Sequence, residues 1–345
     1  MHFVRALDRV RIAYAVTGGG PPVVKTPNWL THIEFDYRSP GWQHWLRFLS
    51  GQWRLYRCDQ RGSGLSDRDV ADVSFLRWVD DLECVVEAAG LERFSLLGIS
   101  QGGAVAVEYA ARHPEKVERL VLYGAYVQGW ARRGDTVALR QGNAMLELIK
   151  TGWGEDNPAF RQLFTSLFMP AATEEQCRRF NELQRVSAAP EMAARLVEAA
   201  GQIDVLARLA DVKAPTLVAH ARDDGRVPFE QGRQLAAGIP GARLVTLDSC
   251  NHVLLEQDPA WQQFCAVFRD FVPGQAAAPQ VSLHELTARE LEILSLVVKG
   301  MSNAEIAEAT AVTAKTVRNH LSNVFSKLGV RTRAQAIVAC RQIID

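Results

Sequence analysis

The sequence predicts an α/β fold with a mostly parallel, doubly wound sheet, followed by a small all-α domain. Three observations support this prediction. Short apolar runs alternate with helical patterns up to about residue 272, a stretch with two prolines follows, and the remainder has the periodicity of short helices. Strand–helix alternation is typical of a parallel sheet with helices on both faces. We therefore expect a first domain over 1–272, a linker over 273–281 and a second domain over 282–345; the alternative for the linker is an ordinary surface loop.

The elements of the first domain follow in order along the chain. Helical patterns such as 78–89 and 104–112 separate most of the predicted strands, whereas about 128–210 has helical periodicity and no convincing strand. This region predicts a helical cap over one end of the sheet. The predicted strands cover 11–16, 22–25, 54–58, 94–97, 120–123, 216–220 and 243–247.

Composition excludes several classes of protein. Apolar residues make up 48% of the chain, which excludes disorder of the whole chain. The six cysteines form no Cys-x-x-Cys or Cys/His cluster, so we predict no metal site, no disulfide framework and no cofactor. Charged residues near Met1 argue against a signal peptide, and no run of about 18 apolar residues predicts a membrane span. We therefore expect a cytoplasmic protein without a membrane partner.

A strand–turn–helix motif supplies a candidate nucleophile. Gly98-Ile99-Ser100-Gln101-Gly102 follows the apolar strand 94–97 and precedes the helical pattern 104–112. This is the context of a G-x-S-x-G nucleophile elbow, in which small residues allow a tight turn that exposes the serine. Ser100 is therefore the predicted nucleophile.

The serine needs a base and an acid that orients the base, in the chain order Ser, acid, His. Asp224 follows the strand 216–220 and precedes Val227-Pro228, and Asp223 is the alternative acid. His252 follows the last predicted strand. The alternative for His252 is a structural histidine, but its place in the order favours catalysis.

With these motifs, residues 1–272 resemble the α/β-hydrolase superfamily. The stretch 59–66 matches the D-x-R-G-x-G-x-S loop, and the match over 220–228 places Asp224 rather than Asp223 at the acid. The chain departs from the pattern after the third strand, where Lys25-Thr26-Pro27-Asn28-Trp29 replaces the His-Gly of many members. The resemblance implies an oxyanion hole with the backbone N–H of Gln101 and a second donor from Asn28 or Trp29.

The cap region supplies apolar and aromatic side chains, most of which we expect in its own core and some above Ser100. Ligand sites are largely apolar with few polar anchors, so we expect a small, fairly hydrophobic ester, lactone, amide or ketone. The residues concerned are Trp130, Trp153, Phe160, Phe164, Phe168 and Met169.

Four short helices are predicted after the linker. Thr287 with Glu290 and Ser302 with Glu305 form capping boxes, Thr313 caps a third helix and Thr332 a fourth. Gly300 and Gly329 end the first and third helices. In the third helix one face is apolar at Val317, Leu321, Val324 and Leu328. The opposite face has polar chemistry suited to a DNA major groove, at Lys315, Arg318, Asn319, Ser322 and Asn323.

The segment 286–340 closely resembles the LuxR/GerE-type helix-turn-helix. The resemblance implies that Arg318, Asn319 and Ser322 face DNA bases, while Thr316, His320 and Lys327 are better placed for phosphates; the alternative for each is a solvated polar face. It also implies that the last helix, 333–343, forms a homodimer contact. Such a dimer would read a pseudo-palindromic site on double-stranded promoter DNA.

Taken together, these resemblances imply a DNA-binding transcription regulator whose hydrolase-like domain senses a small ligand. The alternative is an active serine hydrolase that processes the signal while bound to DNA. A third interpretation, a metabolic hydrolase with a vestigial appendage, is disfavoured by the intact caps and apolar spacing of the predicted helix-turn-helix.

Overall fold

The computed structural model describes residues 1–153, 155, 157–274, 286–327, 333 and 336. The chain divides into two compact units, Met1–Gly274 and a second unit that starts at Gln275. Most of the predicted linker lies outside the described residues. No helix in the described part of the chain is long and apolar enough to cross a membrane.

The first unit is built on one eight-stranded sheet with the order β1-β2-β4-β3-β5-β6-β7-β8. β2 pairs antiparallel with both β1 and β4, and every other neighbouring pair is parallel. All seven predicted strands are present, and β1 is an additional short strand at the edge. The strands are β1 His2–Arg5, β2 Arg11–Thr17, β3 Pro22–Lys25, β4 Arg54–Cys58, β5 Phe94–Ile99, β6 Val117–Tyr123, β7 Thr216–Ala221 and β8 Arg243–Leu247.

Helices connect the strands and cover the sheet. The central strands are buried on both faces, which is why they are continuous apolar runs rather than alternating ones. The connecting helices are α1 Ile33–Asp36, α2 Gln43–Gln52, α3 Phe75–Ala88, α4 Gln101–Arg112, α9 Phe229–Gly238 and α10 Pro259–Phe271.

A helical cap is inserted between β6 and β7, where the sequence predicts one. It contains α5 Thr136–Gly152, α6 Ala159–Phe168, α7 Glu174–Ser187 and α8 Pro190–Gly201, and a 3₁₀ helix Leu206–Asp211 follows. Thr173 and Gln176 form a capping box at the start of α7. Trp130 packs against the small residues Gly142 of α5 and Gly201 of α8, so its ring belongs to the core of the cap.

The second unit contains α11 Ala288–Val298, α12 Asn303–Ala309 and α13 Ala314–Lys327. Both predicted capping boxes are formed, at Thr287 and at Ser302, and Gly300 takes the left-handed conformation after α11 (φ 86°). The predicted residues Leu328, Gly329 and Thr332 and most of the fourth helix lie outside the described residues.

Candidate active site and nucleic-acid interface

Ser100 lies at a strained turn between β5 and α4. Its backbone is in a region that L-residues rarely adopt (φ 53°, ψ −127°). The turn depends on its glycines: a Cβ on Gly98 would lie 2.6 Å from the Cα of Gly103, and one on Gly102 would lie 2.5 Å from the carbonyl oxygen of Pro27. Only glycine allows these approaches, so the sequence enforces the elbow that presents Ser100.

His252 and Asp224 form a buried pair at the same end of the sheet. The Nδ1 of His252 and the Oδ2 of Asp224 are 2.7 Å apart. The other oxygen, Oδ1, accepts hydrogen bonds from the backbone N–H groups of Arg226 and Val227, each at 2.8 Å. Asp223 is exposed. The structure therefore pairs His252 with Asp224 and not with the alternative acid.

The electrostatics of this pair favour a carboxylate. Burial acts to raise the pKa of Asp224, but His252 and the hydrogen bonds to the carboxylate outweigh it, so the pKa lies below its ordinary value. The Nε2 of His252 is buried and has no hydrogen-bond partner among the described residues. With Nδ1 donating to Asp224, Nε2 is the acceptor that a serine base requires.

A second histidine contacts the acid, which the sequence did not indicate. The Nε2 of His220, at the end of β7, lies 3.7 Å from the Oδ2 of Asp224 and 3.0 Å from the carbonyl oxygen of Val227. Burial lowers the pKa of His220. We therefore assign His220 a structural part, donating to the backbone of the acid loop.

The loop after β3 packs directly on the elbow. The hydroxyl of Thr26 donates to the carbonyl oxygen of Gly102 at 2.9 Å. The backbone N–H groups of Trp29 and Gln101 donate to no described residue. The Gln101 side chain donates to the side chain of Gln60 at 2.9 Å. This arrangement can supply the two amide donors of an oxyanion hole.

The last residue of β3 is a buried lysine. The Nζ of Lys25 donates to the Oδ1 of Asn28 at 2.5 Å and lies 5.2 Å from the centre of the Trp42 ring. Burial lowers the pKa of Lys25 to about 8. Lys25 thus fixes the position of the Asn28 side-chain oxygen.

Some of the predicted cap residues reach the candidate site at His252 and Trp29, and some do not. The Phe168 ring stands edge-on to His252 at a centroid distance of 5.3 Å, and Trp153 stands edge-on to Trp29 at 5.8 Å. Phe164 packs on Trp153. The others pack elsewhere: Phe160 lies over Gly152 and Met169 beside Gly41, with Trp130 in the cap core.

The cap is fastened to the loop that carries His252. The backbone N–H of Val253 donates to the carbonyl oxygen of Phe168, and the N–H of Ala171 donates to the Asn251 side chain.

A separate groove of about 890 Å³ between α6 and α7 is lined by none of the predicted site residues. The apolar wall of the candidate site is therefore the end of α6 and the Trp29–Trp153 contact.

In the second unit, α13 has the two faces that the sequence predicts. Val317 and Leu321 are buried against α11 and α12, whereas Val324 packs with Leu294 of α11 and with Ala336 in a second cluster. The opposite face of α13 is solvent-exposed at Lys315, Arg318, Asn319, Ser322 and Asn323. The non-glycine Ala311 adopts a left-handed conformation (φ 52°) in the turn before α13.

Two of the residues predicted to contact phosphates already have partners within the unit. The hydroxyl groups of Thr316 and Thr313 are 2.9 Å apart, and the Thr316 N–H donates to the Thr313 hydroxyl. The Nζ of Lys327 donates to the carboxylate of Glu290 at 2.7 Å. His320 is half-buried. The exposed cations Lys315 and Arg318 are therefore the least restrained basic groups on this face.

Comparison with family models identifies both units. The model for the alpha/beta hydrolase fold matches residues 35–259, and the model for bacterial regulatory proteins of the luxR family matches residues 284–340. The chain belongs to the α/β-hydrolase fold family. It carries a C-terminal GerE domain of the luxR family, and both resemblances inferred from the motifs are confirmed.

Individual relatives resemble the hydrolase-fold unit. The chain is 27% identical over 256 residues to the AB hydrolase superfamily protein YisY of Bacillus subtilis, covering 73% of this chain and 92% of the relative. It is 29% identical over 257 residues to the pimeloyl-[acyl-carrier protein] methyl ester esterase of Nitrosomonas europaea, covering 73% and 96%. An esterase from Exiguobacterium antarcticum has the same fold, with a TM-score of 0.65, 23% identity, and coverage of 78% and 98%.

Proposed function

We propose that this α/β-hydrolase-fold protein is a transcription regulator in which the hydrolase-fold unit binds a small, fairly hydrophobic ester-, lactone- or amide-like ligand and controls transcription. The observation that carries the proposal is the pairing of His252 with Asp224 beside the Ser100 elbow, in a chain that also has a GerE domain. A GerE domain implies DNA binding. A promoter and a small molecule are therefore the proposed partners, and the proposed location is the cytoplasm.

The ligand class follows from the polar groups left at the elbow. A carbonyl oxygen can accept from the Gln101 amide and from the amide of Trp29 or Asn28, which donate to no described residue. The buried Nε1 of Trp29 also has no partner among the described residues. Around these donors the walls are aromatic, with Phe168 on His252 and Trp153 on Trp29. A small carbonyl compound with an apolar body fits these requirements.

Hydrolysis of the ligand is the second candidate function, and the geometry of His252 specifically favours it. With Nδ1 held by Asp224, Nε2 can take the proton of the Ser100 hydroxyl. The serine oxygen then attacks the carbonyl carbon, the oxyanion is bound by the amides, and the leaving group departs with the proton from Nε2. Water, activated by the same histidine, releases the acid and restores the serine.

The second unit is proposed to bind promoter DNA as a homodimer on a pseudo-palindromic site. Arg318, Asn319 and Ser322 are the proposed base contacts. Lys315 lies on the same exposed face, and Thr316, His320 and Lys327 are the proposed phosphate contacts. For Lys327 this requires sharing its ammonium group between Glu290 and a phosphate.

The experiment compares the full chain with Ser100→Ala and with the exposed control Ser166→Ala. Release of p-nitrophenol from p-nitrophenyl butyrate and the ester dependence of promoter binding are measured on the same preparations. Retained ester-dependent DNA binding in Ser100→Ala supports sensing, whereas loss of both turnover and ester response supports processing. The proposal is refuted if no member of an ester, lactone and amide panel changes DNA affinity in the wild type.

A further inference from the structure

An arginine near His252 and Asp224 makes no direct contact with a carboxylate of the described residues. Arg226 lies two residues after Asp224, and its side chain is half-buried. The guanidinium carbon lies 5.6 Å from the centre of the Phe168 ring, the same ring that contacts His252. Its guanidinium group makes no hydrogen bond or ion pair with any described residue. A half-buried cation has lost part of its hydration, and no described carboxylate replaces that hydration by direct contact. The guanidinium group of Arg226 can therefore bind an anionic group of a ligand.

A second arginine lies close to the first. The guanidinium carbon of Arg133 lies 5.6 Å from the centre of the Tyr126 ring, and its Nε donates to the carbonyl oxygen of Gln128. Burial and the positive charge of Arg226 both act to lower the pKa of Arg133. The two nitrogens at the end of Arg133 have no carboxylate partner among the described residues.

Arg226 and Arg133 differ from the arginines of the hydrolase-fold unit that contact a carboxylate directly. Arg112 and Arg208, for example, reach Glu108 within 3.0 Å, and Arg61 reaches Asp8 and Asp81 at 2.7 Å. The carboxylate nearest in sequence to Arg226, that of Asp224, is already occupied by His252 and two backbone amides. Asp224 acts on Arg226, and Asp135 on Arg133, only through space, so neither guanidinium group has a direct carboxylate partner among the described residues.

We propose that Arg226, supported by Arg133, forms an anion-binding subsite next to Ser100 that selects ligands with a carboxylate group in addition to the reacting carbonyl. A guanidinium group binds a carboxylate through paired N–H donors. The Phe168 ring covers one face of the Arg226 guanidinium group and leaves the N–H donors at its edge available. The ligand would then be a half-ester, or a lactone or amide with a free carboxylate. This inference rests on the proposed function, because it names the substrate class of the same site.

The test uses two esters of nearly equal size, monomethyl glutarate, which is an anion, and methyl hexanoate, which is neutral. Their dissociation constants are measured by ligand-observed NMR on the full chain with Ser100→Ala, so that turnover does not interfere. Further variants add Arg226→Met, Arg226→Lys or Arg133→Met. Arg222→Met is the matched control, since Arg222 is exposed and precedes the acid in the same loop.

We expect the anionic ester to bind about tenfold to a hundredfold more tightly than the neutral one, as for a hydrogen-bonded charged pair. Arg226→Met removes this preference, Arg133→Met reduces it, Arg226→Lys retains part of it, and Arg222→Met leaves it unchanged. Equal binding of both esters in all variants overturns the subsite while the proposed ester site stands. Absence of binding by both esters overturns the subsite and the proposed site together.

A purely structural part for Arg226 gives a different result. If the arginine only balances the charge of Asp224, Arg226→Met weakens both esters equally, and that result also overturns the subsite.

Discussion

Replacing Asp224 by asparagine tests whether the hydrogen bonds of the acid determine the state of His252. The Oδ1 of Asp224 accepts two backbone N–H groups at 2.8 Å, and Oδ2 faces the Nδ1 of His252 at 2.7 Å. In Asp224→Asn the amide oxygen must take the Oδ1 place, because an NH₂ group there would oppose two donors. The amide nitrogen then faces His252 and donates to Nδ1.

The consequence is the wrong tautomer of the imidazole. With Nδ1 accepting, the proton of neutral His252 moves to Nε2, which can no longer take the proton of Ser100. An equivalent change in a serine triad lowers turnover about 10⁴-fold, which is about 5.5 kcal/mol of transition-state stabilisation. The protein fold is expected to remain, because the substitution keeps the shape of the side chain.

The assay measures both the tautomer and the turnover of p-nitrophenyl butyrate. Nitrogen-15 NMR of labelled histidine reports which ring nitrogen of His252 carries the proton, whether or not the ester is turned over. Asp223→Asn is the control, because Asp223 is exposed and the neighbouring Asp224, not Asp223, contacts His252. A proton that stays on Nδ1 of His252 in Asp224→Asn, or a larger loss of turnover in Asp223→Asn, would rule out this role of Asp224.

Three further predictions concern the core, the second unit and DNA. Phe264→Ala removes a fully buried ring that packs between Trp45, Trp261 and Tyr123. We expect the free energy of unfolding, measured by urea titration, to fall by about 3–5 kcal/mol. A loss below about 1 kcal/mol would contradict this packing. The hydrogen bond from Lys327 lowers the pKa of Glu290 to about 2, so the contribution of this carboxylate to stability is present above its ordinary value of 4.5 and is lost as the pH falls toward 2. In Glu290→Gln the unfolding temperature of the second unit should therefore depend less on pH between 4.5 and 2 than in the wild type. The exposed control Glu292→Gln should keep the pH dependence of the wild type. The same pH dependence in both variants would argue against the contact between Lys327 and Glu290. Arg318→Ala should weaken binding to the preferred promoter about tenfold to a hundredfold in gel-shift assays, whereas Lys299→Ala, away from α13, should not; similar losses would show that the exposed face of α13 does not read bases.

Much of the fold follows from the sequence because the physical signals are local. The buried stretches 94–97, 120–123 and 216–219 of β5, β6 and β7 are largely apolar, and Thr287 and Ser302 have their capping partners three residues on. The edge strand His2–Arg5 was missed because it is mostly exposed, so no apolar run marks it. Its pairing is decided by the neighbour β2 rather than by its own composition.

The candidate site was predictable only in part. The elbow, the acid and the base have fixed places in the order of strands, so Ser100, Asp224 and His252 could be named. The contact of Phe168 with His252 and the hydrogen bond of Lys25 to Asn28 depend on how a cap helix and a loop return to the sheet. Arg226 was not singled out, because an arginine in a loop is ordinary until its lack of a partner is known.

Fluorophosphonate labelling of the full chain, read by mass spectrometry of the intact protein and its peptides, tests directly whether His252 and Asp224 activate Ser100. The reagent forms a covalent bond with a serine whose oxygen is activated by a neighbouring base beside amide donors. We expect one adduct, on Ser100, which is absent in Ser100→Ala and formed far more slowly in Asp224→Asn. A folded wild-type chain that remains unlabelled, or that is labelled at another residue, would contradict an activated Ser100 and the proposed hydrolysis.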